Sequence, residues 1–285
     1  MSRIVYVNGA FLPESEARVS VFDRGFLFAD AVYEVTAVIE GGLVDFDAHQ
    51  RRLERSLGEL GIEFEGSAVD LRAIHRELLV RNQLDEGLIY LQLTRGCADR
   101  SFVRPETATP SLVLFTQSMS LIDHADARRG LRVVTRPDLR WHRRDIKTTQ
   151  LLYPSLMKSE AVAAGVDDVW MTEGGYVTEA SSSNAHILTT DGRLITRPLS
   201  NDILHGITRA AVLEYARESG VTVEERPFTP AEALTAKEAF NTSATAFVTP
   251  VIELDGQAIG EGQPGEATAR LRELYIDQSR ARLTR

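Results

Sequence analysis

This chain of 285 residues has 32 lysine and arginine side chains, yet only Lys147, Lys158 and Lys237 are lysines. Lys147 follows two arginines in "RRDIKTTQLL", at the end of an apparent strand. A lysine used in covalent chemistry must present a neutral amine, which requires burial or nearby cations. Arg143 and Arg144 supply the cations in sequence, and Ile146, Leu151 and Leu152 the apolar surroundings. Lys158 falls within a helical pattern and Lys237 follows a short helix, so both read as surface residues. A solvated strand-end lysine and a Schiff-base lysine both stay open for Lys147. It is the best placed of the three for the second role.

Two further stretches could do chemistry. In "GYVTEASSSNAHIL", Glu179 closes an apolar–polar alternation, and Ser182 and Ser183 precede Asn184. Such a carboxylate can pair with a cationic ring nitrogen, while hydroxyls and backbone N–H groups bind anionic oxygens. A serine-rich turn between strands is the alternative. In "ILHGITRAAVLEYARESG", Gly206 precedes a helix that starts at Ile207 and Thr208. The free N–H groups and positive dipole end of such a helix suit a phosphate. Arg52 is a matching cation, or else a solvent-facing arginine. A Schiff-base lysine, an acid for a ring nitrogen and a phosphate-binding helix start are the parts of a pyridoxal-phosphate site. No G-x-S-x-G elbow supports a serine hydrolase.

The totals narrow the class. The net charge of -9 argues against a nucleic-acid or anionic-membrane surface. One cysteine, Cys97, cannot form an internal disulfide, and the six histidines lack zinc-ligand spacing. "MSRIVYVNG" has no apolar signal core and no run reaches membrane-span length, so a cytoplasmic enzyme without metal is expected.

The elements that must position these residues read as two α+β domains with mixed sheets and flanking helices. Asn8-Gly9 and Gly41-Gly42 mark hairpins. Helices are expected from Asp47, as N-cap, to a Gly61 cap, and over residues 67 to 82. "LIYLQLTRG" and "SLVLFTQSM" are buried strands around the loop "CADRSFVRPETATP". The polar segment 121–129 reads as a linker between a small domain, 1–120, and a large one, 130–285, that carries Lys147. In the large domain, strand pairs turn at Gly174-Gly175 and Asp191-Gly192. A helix runs from Ile207 to Gly220, and Thr229, Pro230 and Glu232 start another. A strand "EAFNTSATAFVTPVIEL" and an amphipathic C-terminal helix complete the chain.

Motifs along nearly the whole chain resemble the fold-type IV pyridoxal-phosphate enzymes, and within them the D-amino-acid aminotransferases. "FDRGFLFADAVYEVTAV" is similar to the family's DRG-x-x-F-G-D-G-V-Y-E block, with Ala29-Asp30-Ala31 in place of Gly-Asp-Gly. "HQRRLERS", "DIKTTQLL", "VTEASSSN", "LHGITR" and "VTPVIELDG" match in order and spacing. The resemblance implies that Lys147 carries the Schiff base and shuttles the substrate proton, and that Glu179 pairs with the pyridine nitrogen. It implies a phosphate held by Arg52 and the N–H groups of Ile207 and Thr208, with Leu204 packed on the ring. Tyr33 would bind the substrate carboxylate, joined by Arg100 from the other subunit of a homodimer. Two departures stand out. Ala244 occupies a threonine position, leaving Ser243 or Thr245 to replace its hydroxyl. Phe102 occupies a histidine position two residues after Arg100, with Arg104 as a substitute cation. The implied activity is transamination between D-amino acids such as D-alanine and 2-oxo acids such as 2-oxoglutarate, with side activity on (R)-primary amines. Branched-chain L-amino-acid or (R)-amine transamination, aminodeoxychorismate lysis and non-catalytic vitamer binding are the alternatives. Retention of both Lys147 and Glu179 counts against simple binding.

Overall fold

The computed structural model describes residues 2–64 and 70–285, which fall into two units. The first comprises Met1–Ser120, Ile146–Gln150 and Arg282–Arg285; the second comprises Leu121–Asp145 and Leu151–Ala281.

In the first unit the elements are β1 (Ile4–Val7), β2 (Ala10–Pro13), α1 (Arg24–Phe28), β3 (Ala31–Ile39), β4 (Gly42–Leu43), α2 (Phe46–Leu60), α3 (Leu71–Asn82), β5 (Gly87–Thr94) and β6 (Ser111–Ser118). The strands form one sheet in the order β2-β1-β6-β5-β3-β4, antiparallel at every pair. Asn8 and Gly9 both take positive φ, as a two-residue hairpin turn requires. The second hairpin turns at Glu40-Gly41 rather than Gly41-Gly42, because Gly42 already pairs with Ile39. Gly61 caps α2 in the left-handed conformation, as expected, but the N-cap is Asp45, two residues before Asp47. The expected helix start at 67 lies outside the described residues; α3 begins at Leu71, where Asp70 accepts the Ala73 N–H. Leu53 and Leu57 of α2, and Ile74 and Leu78 of α3, lie on single helical faces. They pack into one core with Val38, Ile89, Leu91 and Leu114 of the sheet.

His75 is buried in α3, donates from Nδ1 to the Leu71 carbonyl at 2.6 Å, and meets the Phe46 ring edge-on. Burial pulls its pKa down to about 4. The unfolded chain therefore takes up the proton first, near pH 6.5. The stability associated with neutral His75 is complete above that pH and is lost as pH falls toward 4, by about 3 kcal/mol. Urea unfolding at pH 7.5 and pH 5 should show the loss, and His75→Gln should flatten it. An equally steep pH dependence in that variant would assign the loss to other groups.

The second unit contains α4 (Ala125–Arg129), β7 (Leu131–Pro137), α5 (Leu152–Ala163), β8 (Asp168–Glu173), β9 (Tyr176–Ala180), β10 (Asn184–Leu188), β11 (Leu194–Thr196), α6 (Ile207–Glu218), β12 (Val223–Glu225), α7 (Pro230–Leu234), β13 (Glu238–Ser243), β14 (Phe247–Leu254), β15 (Gln257–Ala258) and α8 (Glu266–Ala281). Its sheet runs β12-β11-β10-β13-β14-β7-β8-β9, with β15 on β14. Here the pairing is mixed: β11/β12, β14/β7 and β7/β8 are parallel. Trp170, Phe228, Ile187 and Val251 lie in its core, and the Trp170 indole donates to Asn241 at 2.9 Å.

Three further expectations change. The segment 121–129, read as a linker, lies within the second unit and contains α4. The stretch 238–254, read as one strand, is the antiparallel hairpin β13–β14, folded back through residues 244–246. Lys147 belongs to the first unit, not the one that follows the linker. The physical reason is backbone pairing: Tyr33 N–H donates to the Lys147 carbonyl at 3.0 Å, and Thr149 N–H to that of Ala31 at 3.2 Å. Ile146 is buried in the first core.

Candidate active site

In the first unit, alternation along β3, β5 and β6 turns one set of side chains into the helical core and leaves the other face half-buried. That face carries the rings of Tyr33, Tyr90 and Phe115, stacked at centroid distances of 5.5 and 4.8 Å. Lys147, half-buried, places Nζ 4.1 Å from the centre of the Tyr33 ring. The structure thus brings the expected covalent residue and an expected substrate-binding residue together on an aromatic wall. The cations invoked from sequence do not act as proposed. Arg143 forms a two-bond pair with Asp145, at 3.0 and 3.1 Å, and Arg144 pairs with Glu173 at 2.7 Å. Both charges are compensated where they stand.

Arg52 is buried on α2, not solvent-facing. Its guanidinium donates to both oxygens of Glu34, at 2.8 and 2.7 Å, and His49 Nδ1 lies 2.7 Å from Glu34 Oε2. Burial alone would raise the Glu34 pKa; the Arg52 charge and hydrogen bonds, with His49, hold it well below the carboxylate range.

Arg100 and Phe102 lie in the loop between β5 and β6, and both are exposed, Phe102 by 81%. The Arg100 guanidinium sits 5.6 Å from the Phe28 ring and 5.5 Å from the Phe102 ring. Arg24 of α1 anchors this loop by donating to the Ser101 carbonyl at 2.8 Å, and pairs with Asp30. Ala29, where the family motif has glycine, takes a left-handed conformation. Arg104 donates to the Leu60 carbonyl at 2.7 Å, which ties the substitute cation to the end of α2.

In the second unit, Glu179 is the last residue but one of β9 and is 4% exposed. Its Oε1 accepts from Arg140 at 2.5 Å; Oε2 accepts from the Asn184 amide and the Leu204 N–H, both at 3.0 Å. Arg140 also makes bonds of 2.9 and 2.6 Å to Asp138. Burial by itself would lower the Arg140 pKa, but Glu179 and Asp138 outweigh it and hold the guanidinium above its ordinary value. A carboxylate held from three directions cannot rotate. The serines behave differently: Ser182 is exposed and Ser183 half-buried, while buried Ser181 donates to Asp168.

Gly206 caps α6 without any side-chain bond, so nothing of its own competes for the N–H groups of Ile207 and Thr208. A Cβ at Gly206 would come within 2.0 Å of Asn184 Oδ1, so only glycine lets the helix start lie this close to the strand. Ser243 Oγ accepts from the Ala246 N–H at 3.2 Å, across the turn that contains Ala244. A fixed carboxylate, an uncapped helix start and a hydroxyl-bearing turn fit a nitrogen ring that carries a phosphate.

The sequence model of the amino-transferase class IV family matches residues 31–254. The chain belongs to the class IV aminotransferases. This aminotransferase is 39% identical, over 272 residues, to the D-alanine aminotransferase of Staphylococcus aureus (strain MSSA476), covering 94% of this chain and 95% of that one. To the D-alanine aminotransferase of Bacillus licheniformis it is 38% identical over 264 residues, 93% of each. Among solved structures it resembles a T.th. branched-chain amino acid aminotransferase with pyridoxamine 5'-phosphate. The TM-score is 0.87 and the identity 26%, over 99% of this chain and 96% of that one. Among the described residues of the class IV chain, no group of three or more His, Cys, Asp or Glu side chains could hold a metal ion. No described helix is long and apolar enough to cross a membrane.

Sequence reasoning missed Glu34 in the first unit and Arg140 and Asp138 in the second. Glu179 lies 39 residues from Arg140 and Arg52 lies 18 from Glu34, so these two pairings are beyond any local pattern. The only available signal was arginine and aspartate in "RPDLRWHRRD", a density of charge unusual beside an apolar strand.

Proposed function

We propose that this class IV aminotransferase is a cytoplasmic, pyridoxal-phosphate-dependent homodimer that moves amino groups between D-amino acids, such as D-alanine, and 2-oxo acids, such as 2-oxoglutarate. The observation that carries the cofactor reading is Glu179, a buried carboxylate fixed by Arg140, Asn184 and Leu204. The D-amino-acid class is supported by identity of 38–39% to two D-alanine aminotransferases over more than nine-tenths of the chain. When bound, pyridoxal phosphate supplies a ring that withdraws electrons and stabilises negative charge at the substrate Cα. Lys147 would hold the cofactor through Nζ and, freed as an amine once the substrate amine has taken its place, would move the proton at the substrate Cα. Glu179 holds a proton on the ring nitrogen through its charge. Arg52, the N–H groups of Ile207 and Thr208, and Ser243 hold the phosphate; Ser182 and Ser183 contribute backbone N–H groups, and Leu204 packs on the ring. Tyr33 orients the substrate.

The homodimer reading rests on an exposed apolar set in the first unit. Val21, Phe22 and Phe26 are exposed by 53–73%, and Phe102 and Val103 by 77% or more. They adjoin through local contacts: Ala98 N–H donates to the Phe22 carbonyl, and Arg24 to that of Ser101. Covering this set with a second copy buries the apolar area and delivers Arg100, on the same loop, to the partner's substrate.

A panel of D-alanine, D-glutamate, L-leucine and (R)-1-phenylethylamine, each with 2-oxoglutarate, tests the function. D-alanine should have the highest specificity constant, and a preference for L-leucine would overturn the substrate class. Phe102 adds a finer prediction. Phenylalanine offers no hydrogen bond where a histidine would, and one such bond to a charged group corresponds to about 10- to 150-fold in affinity. An apolar wall also lowers the desolvation cost of amines without a carboxylate. Phe102→His should therefore raise the specificity constant for D-alanine relative to (R)-1-phenylethylamine. An unchanged ratio means that Phe102 does not line the carboxylate site.

A further inference from the structure

Helix α8 carries a buried charge that none of the roles above uses. Arg272 is 8% exposed, and its hydrogen bonds go to four backbone carbonyls. Nη1 donates to Ala246 at 2.6 Å and Val248 at 2.9 Å; Nη2 donates to Leu121 at 2.5 Å and Ile122 at 3.1 Å. Burial pulls its pKa down to about 10, and no acidic neighbour offsets that loss. A buried cation without a carboxylate is costly, so its placement calls for a reason.

The reason lies in what the two Nη1 bonds enclose. Ala246 and Val248 flank Phe247, which has φ of 57° although it is bulky and fully buried. A large side chain in the left-handed region is strained and persists only where its surroundings over-determine it. Arg272 ties down the carbonyl on each side and sets its guanidinium 5.6 Å from the Phe247 ring. Tyr275, one helical turn further along the same face, places its ring 5.2 Å from that of Phe247. Its hydroxyl lies 3.4 Å from Thr208 Oγ1, at the start of α6. One face of α8 thus braces both the 244–246 turn and the helix start, the two elements of this unit assigned to phosphate.

Ala244 sharpens the point. Without a hydroxyl there, the turn receives an anion through backbone N–H groups and Ser243, and Ser243 Oγ already accepts from Ala246. Backbone shape then decides the fit. Resting on the cofactor reading above, we propose that Arg272 is a positioning residue for cofactor binding, holding the Ala244–Ala246 turn in the shape that receives the phosphate.

The test is the affinity of apoenzyme, prepared by removing the cofactor, for pyridoxal phosphate and for pyridoxal, which lacks the phosphate. Arg272→Met should weaken pyridoxal phosphate binding about 10- to 100-fold, the scale of one hydrogen bond to a charged group. Pyridoxal affinity should change less than about threefold on the same scale. Arg272→Lys keeps the charge but not the two-pronged fork, so it should show an intermediate, equally phosphate-selective loss; it also serves if the methionine variant does not fold. Wild-type affinity in these variants, or equal losses for both ligands, would overturn the assignment. A wild-type chain that binds neither ligand would overturn the cofactor reading, and this inference with it.

Discussion

Lys147→Ala is expected to abolish transamination, by about 10⁴-fold or more, the upper end of what a positioned proton-transfer group contributes. The variant removes both the attachment point and the group that moves the Cα proton, so the two losses fall together. The neighbouring fold should tolerate it. Pairing with β3 uses the backbone of residues 147 and 149, and Ile146 supplies the buried apolar anchor. Nζ itself contacts the face of Tyr33, a cation–π contact of modest strength at a half-exposed position. Borohydride treatment of the wild-type holoenzyme followed by peptide mass spectrometry checks the assignment directly. Reduced cofactor on Lys158 or Lys237 would sink it. Lys158 is paired with Asp168 at 3.5 Å on α5, a structural use that leaves it a poor competitor.

The second large effect belongs to Glu179→Gln. The amide keeps the shape but removes the charge that favours a protonated ring nitrogen. Negative charge at Cα then loses its sink, and the half-reaction that moves the Cα proton should slow by about 10²-fold or more, as for other charge-stabilising groups. Truncating one member of a buried ion pair commonly destabilises the fold as well. Here Asp138 still binds Arg140 through two bonds, so the guanidinium is not stranded and the stability loss should be small. Single-turnover reduction with D-alanine, measured beside thermal unfolding, separates the two effects. An unchanged single-turnover rate would remove Glu179 from the reaction.

Local signals in the chain were enough for much of the architecture. Asn8-Gly9 and Gly174-Gly175 turns, the Gly61 cap and the Thr229 start appear where their backbone preferences place them. These features depend on a few adjacent residues, so they survive whatever the rest of the chain does. Motif order likewise singled out Lys147 and Glu179 as candidates, because covalent chemistry and ring pairing each demand one residue type at one place. Local reading failed where distant segments decided the outcome. The apparent strand 238–254 folds back as a hairpin because Phe247 is held in a left-handed conformation, with Arg272 bound to the carbonyls on either side. Residues 146–150 join the first unit because β3, more than a hundred residues earlier, offers unpaired backbone groups. The charges around Lys147 and Glu179 were beyond the sequence for the same reason. Whether an arginine is a free cation or a neutralised one depends on which carboxylate the fold delivers, and Arg52, Arg140 and Arg144 each met theirs only in three dimensions.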